Sequence, residues 1–166
     1  NISQGGTAAH SIVSNPADWD GTMHAMDGAL AVDAFAGTTG PGATVNTIRF
    51  FNSSYSGGAP GVSTVAIGET LTLNGGAILQ TTHAGNHVNS ITGGALTSGL
   101  LNNDGTSVDF ILHNWNPLRA LDISSQIVNN SSEGRVLNLV HAGDGTTALS
   151  GLNTYTGTTY LQRGVL

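Results

Sequence analysis

The chain has 166 residues, of which 8% are charged, and carries a formal net charge of −6. It has no cysteine and no lysine, and its basic residues other than histidine are Arg49, Arg119, Arg135 and Arg163. A nucleic-acid partner is not expected, because phosphate binding needs clustered Lys and Arg. Disulfide frameworks and thiolate metal sites are excluded.

Apolar residues make up 39% of the chain. That is enough for a substantial core in a single domain, so low charge does not here imply disorder. Gly, Thr, Ser and Asn together make up nearly half of the chain, which suits turns and exposed faces of short strands better than long helices. No apolar run approaches the ~18 residues of a membrane-spanning helix, so no membrane insertion is expected. The opening N-I-S-Q-G-G does not read as a signal peptide.

Residues 1–43 are the least regular part. Asn15-Pro16 and Gly40-Pro41-Gly42 are turn signals. Met23, Met26, Leu30 and Ala34 could form a helical stripe, but Asp27-Gly28 favours strand, turn, strand. From Thr44 onward, runs of about 4–7 residues read as strands: 45–51, 63–67, 70–73, 77–80, 90–92, 95–97, 108–113, 120–124 and 135–140. Tyr55 to Gly61 reads as a loop. Paired glycines recur at 75–76 and 93–94, an offset near one turn of a coiling solenoid.

The last stretch, 149–166, is empty of catalytic chemistry and dense in architecture. Gly151, Gly157 and Gly164 punctuate Thr- and Tyr-rich runs, and glycine permits φ > 0 at corners. Its pattern, L-S-G-x-N-T-Y-T-G-T-T-x-L-x-x-G-x-L, resembles the autotransporter-associated β-strand repeat, also called the passenger-associated transport repeat. Leu149, Gly151, Asn153, Tyr155, Gly157, Thr159, Gly164 and Leu166 sit in the register of that motif. The resemblance extends more weakly over 44–149, through N-T-I-R-F (46–50), L-T-L-N-G-G-A-I-L (71–79), I-T-G-G-A-L-T-S-G (91–99) and F-I-L-H-N (110–114). Two positions depart from the pattern: His141 stands where Lys is usual, and Thr147 replaces an apolar residue.

The resemblance implies a right-handed parallel β-helix on an exported bacterial surface protein, extracellular or at the cell surface, with no catalytic activity. Residues 44–166 are then one module ending in the repeat motif, and 1–43 are its less regular first turns. A repeat of 20-odd residues gives about seven turns.

Other constellations are weighed against simpler readings. Gly143-Asp-Gly-Thr-Thr-Ala148 fits a dinucleotide fingerprint, but no helix is predicted after it, so a glycine corner is expected. Asp104 and Asp109, in N-N-D-G-T-S-V-D (102–109), faintly resemble a calcium loop but lack its later acid; an Asn/Asp/Gly turn is expected. His83 and His87 have zinc-like spacing, but Gly85 and Asn86 oppose the helix it needs. The two glutamates, Glu69 and Glu133, lie in separate turns, so a polysaccharide-active β-helix enzyme is a distant alternative. No catalytic residue, metal or cofactor is expected. Trp19, Trp115, Tyr55, Tyr155 and Tyr160 are the candidates for stacking on surface glycans in an adhesive module. The expected partners are further repeats or copies, joined head to tail through the apolar terminal strand.

Overall fold

The computed structural model describes Pro16 and residues 19–26, 38–51 and 62–166. The predicted turn at Asp27-Gly28 and the loop at 55–61 lie outside them. Among the described residues, thirteen short strands wind as a parallel β-solenoid. One face stacks β1 (His24–Met26), β3 (Thr44–Phe50), β5 (Thr70–Gln80), β8 (Ser107–Asn114), β11 (Val136–Ala142) and β13 (Thr159–Leu161). A second face stacks β2 (Thr38–Thr39), β4 (Val62–Ile67), β6 (Val88–Thr92), β9 (Leu121–Ile123) and β12 (Thr147–Leu149). A third, narrower face is made by the first half of β5, then β7 (Ala95–Ser98) and β10 (Gln126–Ile127). All of these pairings are parallel.

Period-2 alternation decides which side chains go in. Along β11, Leu137, Leu139 and His141 are buried, and the residues between them face outward. Ile48, Ile78 and Leu112 stack at one register position, with Ala25 below. These join Phe50, Phe110, Leu71 and Leu96 in one continuous core. Polar residues ladder outside it: Thr44, Thr72 and Thr97 share a register, Thr64 Oγ1 meets Ser90 Oγ at 2.9 Å, and Asn138 Nδ2 donates to Asp109 Oδ1 at 3.1 Å.

The coil has about four turns from β3 to β13, and the seven turns expected from the sequence are not confirmed. The reason is turn length. Thr47, Ala77, Ile111, Val140 and Tyr160 occupy successive rungs of one column. The chain thus spends the stretches 47–77, 77–111, 111–140 and 140–160 on its successive circuits, and only the last of them is as short as the expected repeat. Two excursions account for part of the excess. Between β7 and β8 the chain leaves the coil and returns at an antiparallel bridge, Leu101 to Val108; between β10 and β11 it does so at Asn130 to Arg135. Because β7 pairs with β10 and β8 with β11, both excursions leave from the same corner.

The paired glycines also sit differently from expectation. Gly75 and Gly76 lie within β5, which runs through them as one strand; Gly76, at φ +64°, turns the corner. Gly93 and Gly94 mark another corner, packed on the backbone of Ile67 and Glu69. Their offset therefore separates two corners within one turn and is not the repeat.

Candidate functional site

The terminal motif forms the last turn. Leu149 pairs with Ile123 and packs on the core. Gly151 and Gly157 serve close approach: a Cβ on Gly151 would collide with the carbonyl oxygen of Ser125, and one on Gly157 with that of Leu137. Only Gly164 of the three, at φ +82°, has the left-handed backbone expected of a corner. Asn153 Oδ1 accepts the Ile127 N–H at 2.9 Å, one turn below. Asn129 Oδ1 bridges the same two turns by accepting the Thr156 N–H (3.1 Å), and it also accepts the Leu137 N–H (3.0 Å) across the base of the second excursion. Tyr155 packs on the core and its hydroxyl meets Thr159 Oγ1 at 2.8 Å. Thr159 pairs with Leu139, and Leu166 is partly exposed.

The two departures from the motif face each other. His141 and Thr147 are both buried, and His141 Nε2 lies 3.0 Å from Thr147 Oγ1. His141 Nδ1 lies 2.9 Å from the carbonyl of Arg163. That carbonyl can only accept, so Nδ1 carries a proton, and in the neutral ring Nε2 then accepts from the Thr147 hydroxyl. Asn114 Nδ2 closes the network, donating to Thr146 O at 2.6 Å and approaching Thr147 Oγ1 at 3.5 Å. A hydroxyl thus replaces an apolar side chain where an imidazole needs a donor. Sequence reasoning saw both substitutions but not their contact, because the length of the last turn brings position 163 beside 141 and a corner brings 147 back.

Asp104 and Asp109 are occupied by their own chain. Asp104 Oδ1 accepts the Thr106 and Ser107 N–H groups, both at 2.8 Å, and Oδ2 accepts the Ser107 hydroxyl at 2.7 Å. Asp109 Oδ1 accepts from Asn102 and Asn138. Among the described residues, no three His, Asp or Glu side chains converge as a metal set. His83 stacks on Phe51, with ring centroids 5.2 Å apart, whereas His87 is buried. Gly143 to Ala148 leads into β12, so no helix N-terminus follows it.

The outward side of the larger sheet carries a groove of about 570 Å³. Its register columns read Met26, Arg49, Leu79, His113 and Ala142, and beside them Thr47, Ala77, Ile111, Val140 and Tyr160. The backbone bonds Thr81 N–H to Phe50 O and Trp115 N–H to Gln80 O continue the ladder to a third outward column, Phe51, Thr81 and Trp115. The Arg49 guanidinium lies 4.6 Å from the Phe51 ring centroid. Arg49 Nε and Thr81 Oγ1 are buried without hydrogen-bond partners, and Trp115 is 42% exposed. Of the other aromatic candidates, Trp19 is in the core, Tyr160 faces outward two rungs beyond Trp115's strand, and Tyr55 lies outside the described residues.

Compared with known proteins, the chain is 33% identical over 139 residues to the adhesin BmaC autotransporter of Brucella suis biovar 1 (strain 1330). The match covers 84% of this chain and 4% of that protein's length. No family model and no solved structure matches the chain.

The His141–Thr147 contact predicts a coupled pair. Thr147→Val leaves Nε2 buried without a donor and costs about 1–3 kcal/mol. Combining it with His141→Leu costs less than the sum of the singles, by about 1 kcal/mol. Urea unfolding of the four proteins measures this; additive losses refute the coupling.

Asp104 predicts an acid-sensitive loop. The Ser107 hydroxyl first, then the Thr106 and Ser107 N–H groups, lower its carboxyl pKa from 3.8 to about 2. A depressed carboxylate contributes its stability above the unfolded value and loses it as pH falls through the folded one. The 102–107 turn therefore holds at pH 4 and loosens near pH 2. Carboxyl-carbon NMR titration checks it: Ser107→Ala should raise the midpoint, and an Asp104 midpoint at its ordinary value in the parent chain overturns it.

Proposed function

We propose that this chain is a coil segment of an exported bacterial protein displayed at the cell surface, with a structural or adhesive role and no catalysis. The observation that carries this reading is the likeness to an autotransporter adhesin across 84% of the chain, joined to the parallel solenoid. The chain spans about 4% of that relative's length, so it corresponds to one stretch of a far longer polypeptide there. Right-handed winding fits the strong preference of parallel crossovers. Residues 44–166 form the module that closes with the repeat motif, and 1–43 lead into it. The scatter of Glu69 and Glu133, and the carboxylates of Asp104 and Asp109 already bonded to their own chain, speak against a polysaccharide-cleaving reading among the described residues.

The last turn supports end-to-end continuation. Among the described residues β13 pairs with β11 alone and so offers one open edge, whereas β12 pairs with β9 and its Thr147 N–H is already taken by the Val165 carbonyl. Leu152 is 82% exposed, and Leu161 and Val165 are each more than half exposed. A further rung of the same polypeptide, or the first rung of another copy, covers these groups.

Surface display is tested with an epitope inserted at Gly105, where the turn faces open space. Antibody should label intact cells making the full polypeptide, and external protease should remove the label; labelling only after permeabilisation overturns the reading. Stacking is tested by sedimentation of the isolated chain. Mass should rise with concentration, and Leu161→Glu should abolish the rise. A monomer at every concentration refutes stacking.

A further inference from the structure

We propose that the groove on the outward face of the larger sheet binds an acidic saccharide, a short run of hexuronic acid units, with a carboxylate on Arg49 and the apolar face of a sugar ring on Trp115. The inference deepens the adhesive side of the proposed function and rests on it.

The chain is net negative and has four arginines. Arg135 pairs with Glu133 at 2.6 Å, and Arg163 pairs with Asp144. Among the described residues no carboxylate pairs with Arg49, whose guanidinium is held against Phe51 with Nε buried and unbonded. A partly buried cation with no counter-ion is unfavourable unless something brings one, and a planar guanidinium matches a carboxylate with two parallel hydrogen bonds. An anionic ligand supplies the partner that no described carboxylate gives Arg49.

One rung along from Arg49 and in the neighbouring outward column, Thr81 Oγ1 is buried and closed to solvent, so it is not a contact for a ligand. Trp115 stands in the same column as Thr81 on the next rung, 42% exposed. Leu79 and Ala77 line the floor between Arg49 and Trp115. Successive rungs are ~4.8 Å apart, so cation and indole lie about 10 Å apart along the coil. A ligand meeting both needs a carboxylate and an apolar ring face in repeating units. Uronic acid oligosaccharides have that combination. An acidic peptide supplies the carboxylate but no such ring face.

Isothermal titration of the folded chain with trigalacturonate tests this, with galactotriose and polyglutamate as controls. Trigalacturonate should bind and galactotriose should not. Arg49→Gln and Trp115→Ala should each weaken binding at least tenfold. Arg49→Lys, which keeps the charge, should retain more binding than Arg49→Gln and serves if the latter fails to fold by circular dichroism. The proposal is overturned by no heat with trigalacturonate, by equal binding of galactotriose, by indifference to the Arg49 and Trp115 changes, or by polyglutamate displacing the sugar, which would assign the groove to acidic peptides. Surface labelling without uronate binding would remove this inference and leave the display reading intact.

Discussion

Every turn of this molecule is hydrogen-bonded to the turn below it, and that single constraint shapes the rest. In a parallel coil a strand finds its ladder partners one full circuit away along the chain, apart from the single antiparallel bridges at the two excursions. Successive turns must then keep one spacing, ~4.8 Å, at corners as well as along strands. Where the chain leaves regular pairing, side chains take over the backbone's needs. Asn153 caps Ile127, Asn129 caps Leu137 and Thr156, and Asn130 Nδ2 reaches the carbonyl of Ser98. The abundance of asparagine in so uncharged a chain follows from that demand. So does the glycine at 151 and 157, where one turn rests directly on the carbonyls of another.

Much of the coil was legible because inward positions alternate with outward ones. The strands around 45–51, 63–67, 108–113 and 135–140 fall within a residue or two of β3, β4, β8 and β11. What could not be read was the turn length. The paired glycines at 75–76 and 93–94 share a spelling but not a place, since one pair bends a strand and the other joins two faces. Short elements such as β10 and β12 carry too few residues to show alternation. They exist because the neighbouring rung offers an edge to pair with, which is tertiary information.

The site residues divide in the same way. A local carboxylate turn at Asp104 was readable, because its donors lie close by in the chain. The His141–Thr147 pair was not, because a corner folds 147 back onto 141, nor was the grouping of Arg49, Thr81 and Trp115, which depends on how much chain separates the rungs. Arg49 and Trp115 are far apart in the sequence and stand in neighbouring outward columns of the sheet. The motif pointed to architecture, and the outward face of the larger sheet carries two of the buried polar atoms left without partners, Arg49 Nε and Thr81 Oγ1.

The two excursions, 99–106 and 129–135, leave from one corner and return to it through a single antiparallel bridge each. Residues can be added at their tips, around Gly105 and Gly134 where the turns face open space, while Asn129 and Asn130 keep bonding the rungs at the base, and lengthening a loop costs little closure entropy. The last turn, from 140 to 160, is the shortest and shows the coil at its barest. The solenoid thus has a ridge along which it can diversify while its stiffness and register stay fixed.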